Sequence, residues 1–261
     1  MTNNFVDKVI EPNREQTLCH LVIPREEALL REMFRPTAEE LTSSQLNGAL
    51  RAYIQRAEEG EVLAQRALGK MLLSGLGGSS DPTQAIAWLT KAARQGDLDS
   101  QTLLGVILSA GHRVPADTKQ GTYWLSVASA RESALAKLFL ANLYYTGEAA
   151  PQGSEDAITL YRQVAEEGIA AAQTMLGVMY RDGLGVPQDT SQAAIWFRRA
   201  ATQGDINAQV ALGTLYLLGN GVRQDMTEFL AWTQKAVKGG HTDAAAVLRF
   251  FESQGIQPSD L

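Results

Sequence analysis

The sequence predicts an all-α fold, a solenoid of about five 36-residue helical hairpins with a helical cap at its N-terminus. Three observations carry that expectation. A Leu followed by a small residue returns every 36 positions, with Gly69, Gly105, Ala141, Gly177 and Gly213 as the small residue and no insertion between copies. A second glycine follows each of these, at Gly75, Gly111, Gly147, Gly183 and Gly219, where a helix C-terminus favours a left-handed residue. An aspartate then stands three residues before Gln or Glu, at Asp81, Asp117, Asp189 and Asp225, the spacing of a capping box that opens the next helix.

The chain opens with an arm, residues 1–45, that lies outside the repeats. Within it Arg25 to Phe34 predicts one helix, ended by Pro36, and Thr37-Ala-Glu-Glu40 predicts a second capping box. An end repeat exposes the apolar face that a missing neighbour would cover, so this arm is expected to cap the array, with docking to a partner as the alternative. The array is expected over residues 46–252, with full repeats at about 61–240. In the fourth repeat Ala172, Met175, Leu176, Met179 and Tyr180 recur at the three-and-four spacing of an amphipathic helix A. Ala193, Trp196, Phe197, Ala200 and Ala201 do the same for helix B, which ends before Gly204.

All four tryptophans, Trp88, Trp124, Trp196 and Trp232, occupy one position of helix B and are expected to pack between helices. The recurring Gly69, Gly105, Gly177 and Gly213 are expected to let helices A and B approach closely, with Gly177 facing Ala200 and Ala201 in the inferred register. Half-units flank the array. Ala57 and Gly60 stand 36 residues before Ala93 and Gly96, and Ala244 to Phe251 restarts helix A. The third repeat is the least regular, with Ala141, Gly153 and Leu160 at the glycine, aspartate and tryptophan positions, and Glu132 closes the second where others have glycine. The tail, 253–261, is expected to be loose.

Composition narrows the function. An apolar fraction of 45% and a charged fraction of 20% belong to a folded chain, and a repeat array escapes the usual size limit of a single core. A net charge of −6 without a basic stripe argues against nucleic acid as the partner. Cys19 is the single cysteine, so there is no disulfide framework and no cysteine metal cluster. The N-terminal residues carry no basic n-region and apolar h-region, and nowhere do about 18 apolar residues run together. A cytoplasmic protein without a membrane span is expected, or a periplasmic one if a leader has been removed.

The segments A-x-x-x-L-G-x-x-Y, G-x-G-V-P-Q-D, A-x-x-W-F and A-A-x-Q-G, running from Ala172 to Gly204, resemble the Sel-one-like repeat, a relative of the tetratricopeptide repeat. The resemblance covers about residues 61 to 240 and implies a right-handed α-solenoid that binds proteins. The cysteine pairs of some members of that family are missing. Helix A would line the concave face, and the positions it would expose include Arg66, Lys70, Leu73, Val106, Leu138, Asn142, Tyr145, Arg181 and Leu217. Such a surface suits a peptide or helix with apolar anchors and acidic groups, unless several of these leucines pack on neighbouring repeats instead.

No constellation for catalysis is visible. His20, His112 and His241 have no partner at metal-ligand spacing, and Gly75-Leu-Gly77-Gly78-Ser79-Ser80 lacks both the preceding strand and the lysine of a phosphate loop. No metal and no cofactor is expected. The leading expectation is a non-enzymatic adaptor, a monomer or weak oligomer, whose partner is another protein. The resemblance also admits a bacterial immunity protein that occludes a secreted toxin. A regulatory or redox subunit acting through Cys19, beside His20, is the alternative of another class.

Overall fold

The computed structural model describes residues 43–75, 80–111, 113–149 and 153–253. Among them are twelve α-helices and no strand. They fall into two compact units, one within residues 24–151 and the other within 152–261, and the division lies inside the third repeat. The predicted arm helix, its capping box, Cys19, His20, His112 and the tail beyond Ser253 lie outside the described residues.

The first unit holds α1 (Ser43–Glu58), α2 (Val62–Ser74), α3 (Pro82–Arg94), α4 (Leu98–Ala110), α5 (Thr118–Ser129) and α6 (Ala134–Thr146). The second holds α7 (Gly153–Glu166), α8 (Ala170–Asp182), α9 (Thr190–Thr202), α10 (Ile206–Leu218), α11 (Met226–Lys238) and α12 (Thr242–Ser253). Helices α2, α4, α6, α8 and α10 are the five A helices, and α3, α5, α7, α9 and α11 the B helices.

The helix ends are built as their sequences require. Asp81, Asp117, Asp189 and Asp225 each accept a hydrogen bond from the backbone N–H three residues on, satisfying a donor that the first turn leaves unpaired. The five glycines that end the A helices are all left-handed, with φ between 66° and 74°. A further set of caps escaped the sequence reading: Asp97, Ser133 and Asp205 open α4, α6 and α10.

Within each hairpin the recurring glycine sets how closely the helices approach. A Cβ at Gly69, Gly105 or Gly177 would stand 2.7, 2.6 and 2.7 Å from Leu89, Leu125 and Phe197 respectively. The residue opposite Gly177 is therefore Phe197, not Ala200 and Ala201: the helices cross a turn earlier than the inferred register allowed. At Gly213 the contact is relaxed, because Thr233 stands where the others carry Leu or Phe, and the nearest atom to a new Cβ is 3.4 Å away. Trp124, Trp196 and Trp232 are buried, while Trp88 is half-buried against the Ala57, Ala64 and Leu68 cluster. A cation three residues on covers the exposed ring face of three of them, from Lys91, Arg199 and Lys235.

Successive hairpins are joined by a buried amide. Gln65, Gln101, Gln173 and Gln209 each donate from Nε2 to the carbonyl of Ala57, Ala93, Ala165 and Ala201, near the end of the preceding B helix. Three of these glutamines also accept at Oε1, from Gln95, Arg131 and Gln203 at the end of their own hairpin. Gln209 has no such donor, since Gly239 occupies the matching position, and its buried Oε1 is unpaired. A carbonyl left buried without a partner costs about 1–3 kcal/mol.

Three outcomes follow for urea unfolding. Gly105→Ala and Gly177→Ala lower stability by about 1–3 kcal/mol through overpacking, whereas Gly213→Ala is neutral or gains up to about 1 kcal/mol of helix propensity. Gln173→Leu costs about 1–3 kcal/mol, and Gln209→Leu costs less because an unpaired oxygen is removed with it. Ser100 is fully buried with its hydroxyl unpaired where the other repeats have Ala64, Ala136, Ala172 and Ala208, so Ser100→Ala raises stability by about 1 kcal/mol.

Candidate functional site

The face expected to bind a partner consists of the A-helix residues that hold neither the B helix nor the neighbouring A helix. In the first unit Leu73 lies in the core with Leu89, Leu104 and Ile107, and in the second Leu217 lies with Phe229, Val247 and Leu248. Val106 and Leu138 are buried as well. These four expected contact residues are core, and none presents a side chain to solvent. The cause is packing within the unit: α4 is covered by α3, by its own B helix α5 and by α6. In α4 every residue from Ser100 to Leu108 is buried.

The charged residues divide differently. Arg66 is half-buried and clasped by two acids, Asp97 at 3.0 Å and Asp99, so its charge serves the junction of α2 with α4. Arg181 forms a two-pronged pair with the adjacent Asp182, at 2.8 Å on each prong. Lys70 differs: among the described residues no carboxylate lies within ion-pair distance of it. Asn142 and Tyr145 are half-buried on α6.

Leu63, a further position that the helix-A spacing is expected to expose, is 58% exposed. It stands seven residues before Lys70, two turns along the same side of α2. The signal available in the sequence was its place in the first turn, beyond the reach of the helices that bury Leu68 and Leu73. Leu218, 46% exposed, holds a comparable place at the far end of α10 in the second unit.

The chemistry that these groups allow is recognition. Among the described residues no group of three His, Cys, Asp or Glu side chains could hold a metal ion, and His241 is occupied as a cap, its Nδ1 accepting from the Ala244 N–H at 3.1 Å. No described helix is long and apolar enough to cross a membrane.

Comparison with protein families places this geometry. The model described as Sel1 repeat matches residues 62–97, 98–133, 134–169, 170–205 and 206–241, five consecutive copies. The chain belongs to the Sel1-repeat family, whose members generally mediate protein–protein interaction and are typically non-catalytic.

Among solved structures it is similar to a Sel1 repeat protein from Oxalobacter formigenes, at 26% identity over 83% of this chain and 88% of that one, with a TM-score of 0.73. It is also similar to c5321, a protective antigen present in uropathogenic Escherichia coli strains, at 27% identity over 80% of this chain and 53% of that one, with a TM-score of 0.52. A more distant likeness, to immunity protein Pa5087 from Pseudomonas aeruginosa, has 19% identity over 85% of this chain and 83% of that one at a TM-score of 0.45, and adds nothing to the functional argument. No curated protein matches the chain.

Proposed function

We propose that this protein is a non-enzymatic adaptor that captures another protein on the A-helix side of its first unit. The observation that supports this reading most is the pairing on α2 of an exposed apolar side chain, Leu63, with an ammonium, Lys70, that has no ion-pair partner among the described residues. The neighbouring cation, Arg66, is held by two acids, so Lys70 is the charge left for an incoming carboxylate. A partner segment with one apolar anchor and an acidic side chain about two turns away fits the pair. Both groups lie outside the glycine, aspartate and tryptophan frame, so they can vary without disturbing the helices.

Affinity capture from the native cell, compared between the wild type and the double variant Leu63→Glu, Lys70→Glu, tests the reading. Leu63 is exposed and Lys70 is only half-buried, so helicity and melting temperature are expected to stay unchanged while the captured protein is lost. Capture that survives the double variant with folding intact removes α2 as the site.

A further inference from the structure

Helix α1 is a B helix without a described mate. Its Ala57 carbonyl accepts the Gln65 amide at 3.1 Å, as Ala93 accepts Gln101 at 3.0 Å. Its terminal Gly60 has φ of 94°, and the matching Gly96 has 90°. α1 thus meets α2 as α3 meets α4, although the matched repeats begin only at residue 62.

What differs is the other side. At one position of the B helix, Leu89, Leu125, Tyr161 and Phe197 are all fully buried, and Leu89, Leu125 and Phe197 abut the glycine of their own A helix. The same position of α1 is Tyr53, 36% exposed, beside Ile54, also 36% exposed. An aromatic side chain thus stands open on the face that an A helix covers elsewhere, and Ile54 adds apolar area at a position where the later B helices carry Thr90, Ser126, Arg162 and Arg198.

We infer that residues 25–34 supply this A helix, completing a further hairpin before the five matched ones. Leu29, Leu30, Met33 and Phe34 fall on one side of a helix, with Arg31 and Glu32 away from them and Glu26 on the same side in the first turn. The connection also has the right length. Eight residues, 35–42, separate Phe34 from Ser43, and seven separate the paired helices at 75–81, 111–117, 183–189 and 219–225. So short a tether holds the segment at a millimolar effective concentration, which favours it over any free competitor. This inference is independent of the binding role given to Leu63 and Lys70.

A mutant cycle in the full chain tests it, with Tyr53→Ala, the pair Leu30→Ala and Met33→Ala, and the three together. If the segment packs on α1, each change lowers the urea midpoint and the combined loss is smaller than the sum of the separate losses. Trypsin cleavage after Arg31 is also expected to be about tenfold faster in Tyr53→Ala than in the wild type. Strictly additive losses, or no loss from the Leu30 and Met33 pair, overturn the inference, and the pair serves even if Tyr53→Ala does not fold. A wild-type dimer in light scattering that Tyr53→Ala dissociates would assign the face to a second copy and overturn it equally.

Discussion

The buried glutamine amide between hairpins is the interaction on which the rest of each unit depends. A helix leaves its last carbonyls unpaired, and here the end of every B helix is pressed into the next A helix, away from water. Gln65, Gln101, Gln173 and Gln209 add a second donor, from one fixed place on the A helix, to a carbonyl that already accepts the N–H of the glycine three residues on. A hydrogen bond has narrow limits of distance and angle, so the amide also fixes how far each hairpin slides and turns on its predecessor. Apolar packing alone would leave that register softer.

Where the frame changes, the substitutions come in sets. Lys137 stands at the glutamine position of the third repeat, and its buried ammonium is paired with Glu132. Glu132 adopts φ of 65° at a position where Gly96, Gly168, Gly204 and Gly240 are left-handed. A side chain there carries backbone strain of about 1 kcal/mol, which the neutralisation of a buried charge offsets. At the other end Gly239 leaves Gln209 half-satisfied, and in the same repeat Thr233 loosens the contact with Gly213. The irregular repeats thus exchange one complete solution for another, or relax together.

The fold was legible in the sequence to the extent that single residues answer to local backbone demands. The glycines at 75 and 183 follow from a left-handed φ, and Asp81 and Asp189 from exposed amides, so a period of 36 was enough to place them. The glutamine recurred just as regularly but carries no local signature, since its partner lies in the preceding hairpin. The surface was harder to read for a related reason. Periodicity separates covered from open positions only when one face of a helix is covered, and three neighbours cover α4. Leu73, Val106, Leu138 and Leu217 look like an apolar binding stripe by spacing, yet all four are core.

That same burial narrows where recognition can occur. With the middle of each A helix enclosed, the side chains left to meet a partner are those near its ends and the few polar ones between, such as Leu63, Lys70 and Leu218. Their number is small, so a partner must gain its affinity from a few well-placed anchors set in a rigid frame. Rigidity favours this arrangement, because the caps, the close glycine contacts and the glutamine amides order the frame before any partner arrives. The backbone around Leu63 and Lys70 then loses little further freedom on binding, and the frame can hold constant while those few positions change.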